Sequence, residues 1–417
     1  MKKKIAACLL ALLMLCSFAG CGREIPTDES GDTYELDENG LEVGASLKFW
    51  TQDVAFGEAA AKAFEEKYGI PVTVEQVGMN GMSKIMLDGP AGTGADVFVA
   101  THDSFQSGYS AGVLMEVDET IASEMKQTLQ DVAVQSVTRD GKMYGIPIAV
   151  ETMVMFYNKD LVEEPAQSFE QIVEEAKQWN VPEENKFRFL CQLTGYSAHA
   201  FMTAFGFELF GADGLSENPG VDSQAFLDGL TYLSTLKQTM PIDSANLSMT
   251  SGSFLDQNFY DGKTAYYING PWFVDMLADK DINYGVAKMP TINGQPMKPF
   301  GGVQNAHVSV YTKYPKAAQC FAQFLASEEC AQMLYEEASK ITARKDYASI
   351  PGLCDDADLM IIAEQFTESV PMPGSERLSY FWTLTNSVYS SVFDGTLTPE
   401  QGAEKAQADF DALVKSE

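Results

Sequence analysis

Basic residues are scarce in this chain: 28 Lys and Arg stand against 59 Asp and Glu, a formal net charge of −31. A phosphate backbone is held by clustered cations, so nucleic acid is excluded as a partner. Histidine is scarcer still, with only His102, His199 and His307, and neither HExxH nor a paired CxxC occurs. A structural zinc site is therefore not expected, and no cofactor is called for. Gly89, Gly92 and Gly94 are followed by no Gly-Lys-Ser/Thr, so they read as a flexible loop rather than a phosphate cradle. Past the N-terminus no apolar run approaches the ~20 residues that span a bilayer.

Cysteine is sparse and unpatterned. Beyond Cys21 there are four, Cys191, Cys320, Cys330 and Cys354, whose spacings form no disulfide framework. On one continuous helix Cys320 and Cys330 would stand about 15 Å apart, too far to bridge. A new helix starting at Ser327-Glu328-Glu329 would relax that limit. Buried free thiols are the expectation.

The N-terminus carries an export signature. Lys2, Lys3 and Lys4 precede an apolar run from Ile5 to Leu15, and Ala19-Gly20 sit just before Cys21. A basic start, a short apolar stretch and small residues at the cleavage point make a secretory signal over 1–20. Phe18-Ala19-Gly20-Cys21 resembles the bacterial lipobox, with Phe18 in place of the usual Leu, so lipidation of Cys21 is expected. The signal takes three lysines and no acids with it, leaving −34. Residues 22–45 hold eight acids, one arginine and no apolar periodicity. Such a segment buries too little to offset ordering entropy and reads as a solvated linker.

Order begins at Leu47-Lys48-Phe49-Trp50, a strand start. A helix is expected near Glu58 to Tyr68, with Ala59, Ala63 and Phe64 at helical spacing and Gly69 as its stop. Pro71 to Glu75 alternates as a strand does, and Asp96 to Ala100 is apolar almost throughout, as in a parallel strand buried on both faces. This alternation predicts a parallel α/β layer. Asp140-Gly141 supplies a turn, and Pro147 to Tyr157 reads as one long β segment. Ser168-Phe169-Glu170-Gln171 has capping-box form, Thr264 to Ile268 reads as a strand, and helical patches recur between Ala200 and Leu236. A last helix opens at Thr398-Pro399 with Gln401 and carries Ala403, Ala406, Phe410 and Leu413 on one stripe. About 370 ordered residues are long for one core, so two lobes and a ligand cleft between them are expected.

From Leu47 onward the chain resembles the maltose/maltodextrin-binding proteins, the capture component of ATP-binding-cassette sugar importers. The stretches that carry the resemblance are Pro147-Ile148-Ala149-Val150-Glu151, Tyr157-Asn158-Lys159-Asp160-Leu161 and Ile268-Asn269-Gly270-Pro271-Trp272. Asn283-Tyr284-Gly285-Val286, Gly294-Gln295-Pro296, Lys298-Pro299-Phe300 and Phe381-Trp382 follow in the family's order. The resemblance implies a two-lobe α/β periplasmic-binding-protein fold with discontinuous lobes and a multi-strand hinge. Lobe I would take 46–149 and 306–351, lobe II 155–300 and 358–417, and the hinge 150–154, 301–305 and 352–357. It also implies a lipid-anchored monomer outside the cell membrane that hands malto-oligosaccharide to the permease subunits of an importer.

A sugar offers C–H faces to aromatic planes and hydroxyls to carboxylates and amides. By the resemblance, Trp272, Trp382 and Tyr196 would stack on the ligand, with Asp103 and Glu151 accepting from its hydroxyls. Asp103 also follows the Asp96–Ala100 strand, at the end where open parallel sheets meet ligands. Trp50 and Trp179 read as structural. The chain departs from the family pattern at several contacts. Ala100 and Ser104 stand where a tryptophan and an arginine are common around the His-Asp pair, Thr194 where a glutamate is usual, and Asn386 where an arginine is usual. Gln52 and Asp53 replace part of the loop after the first strand, and with Ser104, Thr194 and Asn386 they complete the ten residues expected to hold ligand. The aromatic platform is retained while charged contacts are lost.

Two other readings compete. Asp103 and Glu151 have the residue types of a glycoside hydrolase pair, but carboxylates bind sugar without catalysis and the family it resembles is not enzymatic. The same fold could instead hold another oligosaccharide, a peptide, an anion or iron. The matched positions have lost the basic residues an anion needs, and the adjacent tyrosines with a histidine that iron sites use do not stand at these positions. Another oligosaccharide is the rival that stays open.

Overall fold

The computed structural model describes residues 35–78, 80–248 and 252–416. The expected signal over 1–20, Cys21 and the first part of the linker lie outside the described residues. Residues 35–44 belong to a separate small unit. There the linker expectation needs correction. Leu36 bridges Glu42, and the Asp37 carboxylate accepts the N–H groups of Asn39 and Leu41 at 2.8 and 2.9 Å. Gly40, at φ +77°, closes the turn. Short-range side-chain-to-backbone bonds order this stretch without any apolar period.

The rest of the chain, from Ala45, is one compact unit built on two larger sheets, with two further sheets of two strands each. Its strands in chain order begin with β1 (Leu47–Thr51), β2 (Val72–Gln76), β3 (Val97–Thr101), β4 (Thr138–Arg139), β5 (Lys142–Met143), β6 (Ile146–Thr152) and β7 (Val154–Asn158). They continue as β8 (Phe187–Leu190), β9 (Thr264–Asn269), β10 (Tyr284–Ala287), β11 (Thr291–Ile292), β12 (Gln295–Pro296), β13 (Phe300–Val308), β14 (Ile341–Thr342) and β15 (Val370–Pro371). The larger sheet runs β14-β6-β13-β3-β1-β2, with β15 added to β13. β1 is parallel to β2 and β3, as the strand–helix–strand pattern predicts. The apolar β3 is, however, antiparallel to its other neighbour, β13. The smaller sheet runs β10-β7-β9-β8.

The expected long strand from Pro147 is two. β6 pairs with β13 in the larger sheet, and after Met153 the chain enters β7 of the smaller one. Thr152 fixes the crossing by donating from Oγ1 to the Phe300 carbonyl at 2.8 Å, fully buried.

The first helix spans Val54–Tyr68, four residues longer than expected at its start. Its buried stripe is Phe56, Ala60 and Phe64, with Ala59 and Ala63 half-buried beside it. Phe64 and Phe49 of β1 both pack edge-on against Phe321, which seats this helix and Pro315–Phe324 on the larger sheet. Gly69 stops the helix at φ +70°. Ser327 starts a new helix after Cys320, as allowed for, and its Oγ accepts from the Cys330 N–H. Among the described residues no cysteine is in a disulfide; Cys191 and Cys330 are buried, but Cys354 is exposed.

Two caps behave differently. Thr398 and Gln401 exchange both bonds of the capping box. At Ser168 only half forms, because the Gln171 amide donates forward to Glu175. The last helix, Pro399–Val414, buries Gly402, Ala406 and Phe410, while Ala403 and Leu413 stay half-buried.

Candidate ligand-binding cleft

Strand ends and the turns that follow them supply one wall of a cleft of about 780 Å³. Gln52 and Asp53 follow β1, Asp103 follows β3, and Glu151 lies near the end of β6. Thr194 and Tyr196 come from the turns after β8, and Trp272 opens a helix, Trp272–Leu277, just past β9. Trp382 and Asn386 lie one helical turn apart on Leu378–Phe393. Nine of the ten residues expected to hold ligand thus line one cavity. Ser104 does not. Its hydroxyl donates to the Thr101 carbonyl at 2.7 Å, which closes the short turn under Asp103.

The aromatic groups differ in how firmly they are held. Trp382 is half-buried and meets Phe300 edge-on at 5.7 Å and 90°. Tyr196 lies nearly parallel to Phe300 at 6.1 Å and 22°. Trp272 is 42 % exposed, so its indole presents a large apolar surface to solvent. Trp50, by contrast, is fully buried and donates its Nε1–H to Glu75 at 2.7 Å, a structural role as expected. Trp179 lies under Lys186 and Arg188.

Polar groups are organised around a lysine that the sequence reading passed over. Lys340 donates to the Asp53 carboxylate at 2.5 Å and to Gln304 Oε1 at 2.9 Å. Gln304 in turn donates from Nε2 to Glu151 at 3.3 Å. The cleft therefore does hold a cation, but one already paired. Burial pushes the Glu151 carboxyl above the usual carboxylate range; Lys340 and the Gln304 amide oppose the shift, and Asp103 and Asp53 add to it. Burial, with Glu151 and Asp103 nearby, raises the Tyr196 phenol well above its ordinary value, so it stays a neutral donor and acceptor.

His102 lines the cavity beside Asp103. Its Nδ1 lies 2.9 Å from the Val303 N–H and 3.1 Å from the Val303 carbonyl, so one residue of β13 meets the ring through both of its backbone groups. Burial lowers its pKa, against the opposing pull of Asp103. The neutral imidazole pins the turn that carries Asp103 to β13. Asp103 itself is exposed and accepts from Thr101 Oγ1 at 2.5 Å. Gln192, Asp275 and Met372 also line the cavity and were not singled out by the sequence. No distinct motif surrounds them. No group of His, Cys, Asp and Glu among the described residues could hold a metal ion.

An open concave site lined by planar rings together with carboxylates and amides is a solute-binding cleft. Residues 59–361 match the bacterial extracellular solute-binding protein family, and the chain belongs to that family. It is 29 % identical to the galactooligosaccharide-binding protein of Bacillus subtilis, over 100 % of this chain and 98 % of that one. It is 28 % identical to a maltooligosaccharide ABC transporter solute-binding lipoprotein of Streptococcus pneumoniae, over 97 % and 94 % of the two chains. Among solved structures, a cyclo/maltodextrin-binding protein complexed with maltotetraose superposes with a TM-score of 0.82 at 28 % identity, covering 88 % of this chain and 97 % of that one. MalX of Streptococcus pneumoniae in complex with maltopentaose gives 0.77 at 27 %, covering 88 % and 100 %. The maltose-binding-protein-like fold expected from the sequence is the fold of this chain. Among the described residues, no helix is long and apolar enough to cross a membrane.

Proposed function

We propose that this chain captures malto-oligosaccharide in the cleft between Trp272 and Trp382 and delivers it to the permease subunits of an ATP-binding-cassette importer. The observation that carries this reading is the shared lining: Trp272, Trp382 and Tyr196 face the same cavity as Asp53, Asp103 and Glu151. Rings take the C–H faces of successive sugars, and the carboxylates and amides take their hydroxyls. Ser104 would act only through the turn under Asp103, whereas Gln52, Thr194 and Asn386 are direct contacts. The maltotetraose and maltopentaose complexes of structural relatives support a linear glucan as ligand.

The rest of the account follows the same reading. Residues 46–149 with 306–351 form lobe I, residues 155–300 with 358–417 form lobe II, and 150–154, 301–305 and 352–357 flex between them. The switch of sheet between Thr152 and Val154 supports a hinge there. The protein is a monomer, held to the outer face of the membrane by lipid on Cys21, and it does not cleave its sugar.

The galactooligosaccharide-binding relative gives a second reading a specific basis, since it is matched over its whole length. Titration calorimetry of residues 22–417 against maltotetraose and a β-galacto-oligosaccharide of equal length separates the two. Maltotetraose should bind at least tenfold tighter; preference for the galactan would transfer the assignment to that sugar.

A further inference from the structure

Both stacking tryptophans rest on glycine. The backbone of Gly270 lies so close to the Trp272 indole that a Cβ there would stand 2.3–2.6 Å from Cη2, Cζ3 and Cζ2. A Cβ on Gly195 would stand 2.9 Å from Trp382 Cε3, 3.2 Å from Cζ3 and 2.4 Å from Thr385 Oγ1. Neither glycine has positive φ, so an L side chain suits both backbones; the obstacle is the ring alone at Gly270, and the ring with the Thr385 hydroxyl at Gly195. The usual reason for a glycine, a left-handed turn, does not apply here.

We propose that Gly270 and Gly195 are positioning residues that set where the two rings of the cleft stand, and so how the ligand's sugar faces are met. This rests on Trp272 and Trp382 being the stacking groups. Between Gly270 and Trp272 stands only Pro271, at φ −60°, and the Gly270 carbonyl accepts the Phe273 N–H at 3.0 Å. The backbone is fixed, so side-chain torsion alone decides where the indole lies. Glycine lets it lie flat against the chain; a methyl would push it outward into the cleft. Trp382 has no such freedom, because Phe300 and Phe381 hold it edge-on at 5.7 and 5.4 Å. Gly195 completes that enclosure and lets the turn bearing Tyr196 come up against the indole. The two seats divide the work: one fixes an exposed ring, the other closes around a held one.

The test is Gly270→Ala, whose displaced ring is exposed and free to move without unfolding the protein. Maltoheptaose affinity should fall by about tenfold, less than the roughly thirtyfold of removing the ring outright, with the thermal midpoint unchanged or slightly raised. In a Trp272→Ala background the same change should cost nothing further, since a residue acting only through the ring shows full coupling. Iodide quenching of the unliganded protein should rise in Gly270→Ala and not in Gly270→Ala/Trp272→Phe, which reports ring position without any ligand. Gly195→Ala is made together with Thr385→Ala, which removes the hydroxyl its Cβ would meet, and should weaken binding beyond Thr385→Ala alone. Unchanged affinity in Gly270→Ala, or an equal loss with and without Trp272, would overturn the proposal. Wild type that binds no oligosaccharide would instead overturn the proposed function, and quenching would then decide the seat by itself.

Discussion

Lys340 Nζ lies 2.5 Å from Asp53 Oδ2, joining residues 287 apart in the chain, and each side chain is only about one-fifth exposed. The lysine follows the helix Glu328–Ala338, and the aspartate lies between β1 and the first helix, where its side chain makes no capping bond. Lys340 donates a second hydrogen bond to Gln304 Oε1, and its bond to Asp53 Oδ2 balances the carboxylate's charge while leaving Oδ1 to accept from a ligand.

Lys340→Met should therefore harm both stability and binding. Hydrogen bonds to charged groups contribute roughly 1.5–3 kcal/mol, and Asp53 would be left half-buried with no cation. We expect a loss near the lower end of that range in urea unfolding, little relieved by salt because the pair is largely screened from solvent. A midpoint equal to wild type would show that the pair is incidental.

Glu151 gives a pH signature of opposite sign to an ordinary ion pair. Its carboxyl titrates above the usual range when folded, so the folded state binds the proton more tightly than the unfolded one. Stability contributed by that group is greatest below the ordinary carboxylate value and falls as pH rises through the raised one. Glu151→Gln should melt a degree or two higher than wild type near neutral pH, roughly, and the difference should close in acid. The same variant should bind sugar more weakly. A destabilised Glu151→Gln would mean that Lys340 and Gln304 outweigh burial.

Chain length should matter because the rings are kept while charged contacts are few. Each sugar laid on Trp272, Trp382 or Tyr196 removes apolar surface from water at ~25 cal/mol/Å². Maltotriose and longer chains should bind clearly tighter than maltose, and Trp272→Ala should cost the longer ligands most, about 2 kcal/mol. Calorimetry from maltose to maltoheptaose checks this; equal affinities across the series would refute it.

Export and tethering make a separate prediction. With Cys21→Ser the protein should appear in the medium or remain unprocessed, while binding by the soluble domain is unaffected. Full retention at the membrane would rule out lipid on Cys21.

How far the sequence could be read depended on how local each signal was. Trp272 and Trp382 stood out because tryptophan is rare here and each sits in a family stretch. Asp103 was placed by the strand that precedes it. Lys340 carried no such mark: it follows an ordinary amphipathic helix, and its partners come from distant strands. The break at Met153 was hidden for a different reason. β6 and β7 are both apolar and extended, and no glycine or proline separates Thr152 from Val154 to mark the change of sheet. Ser104 draws notice from its place beside the His-Asp pair, yet a hydroxyl on so short a side chain reaches a carbonyl of its own turn first.

The most direct test of the cleft assignment is a crystal structure of residues 22–417 with saturating maltotetraose. Glucose rings should lie against Trp272, Trp382 and Tyr196, with hydroxyls donating to Asp53, Asp103 and Glu151. Sugar bound elsewhere, or a cleft free of sugar at saturation, would contradict the account.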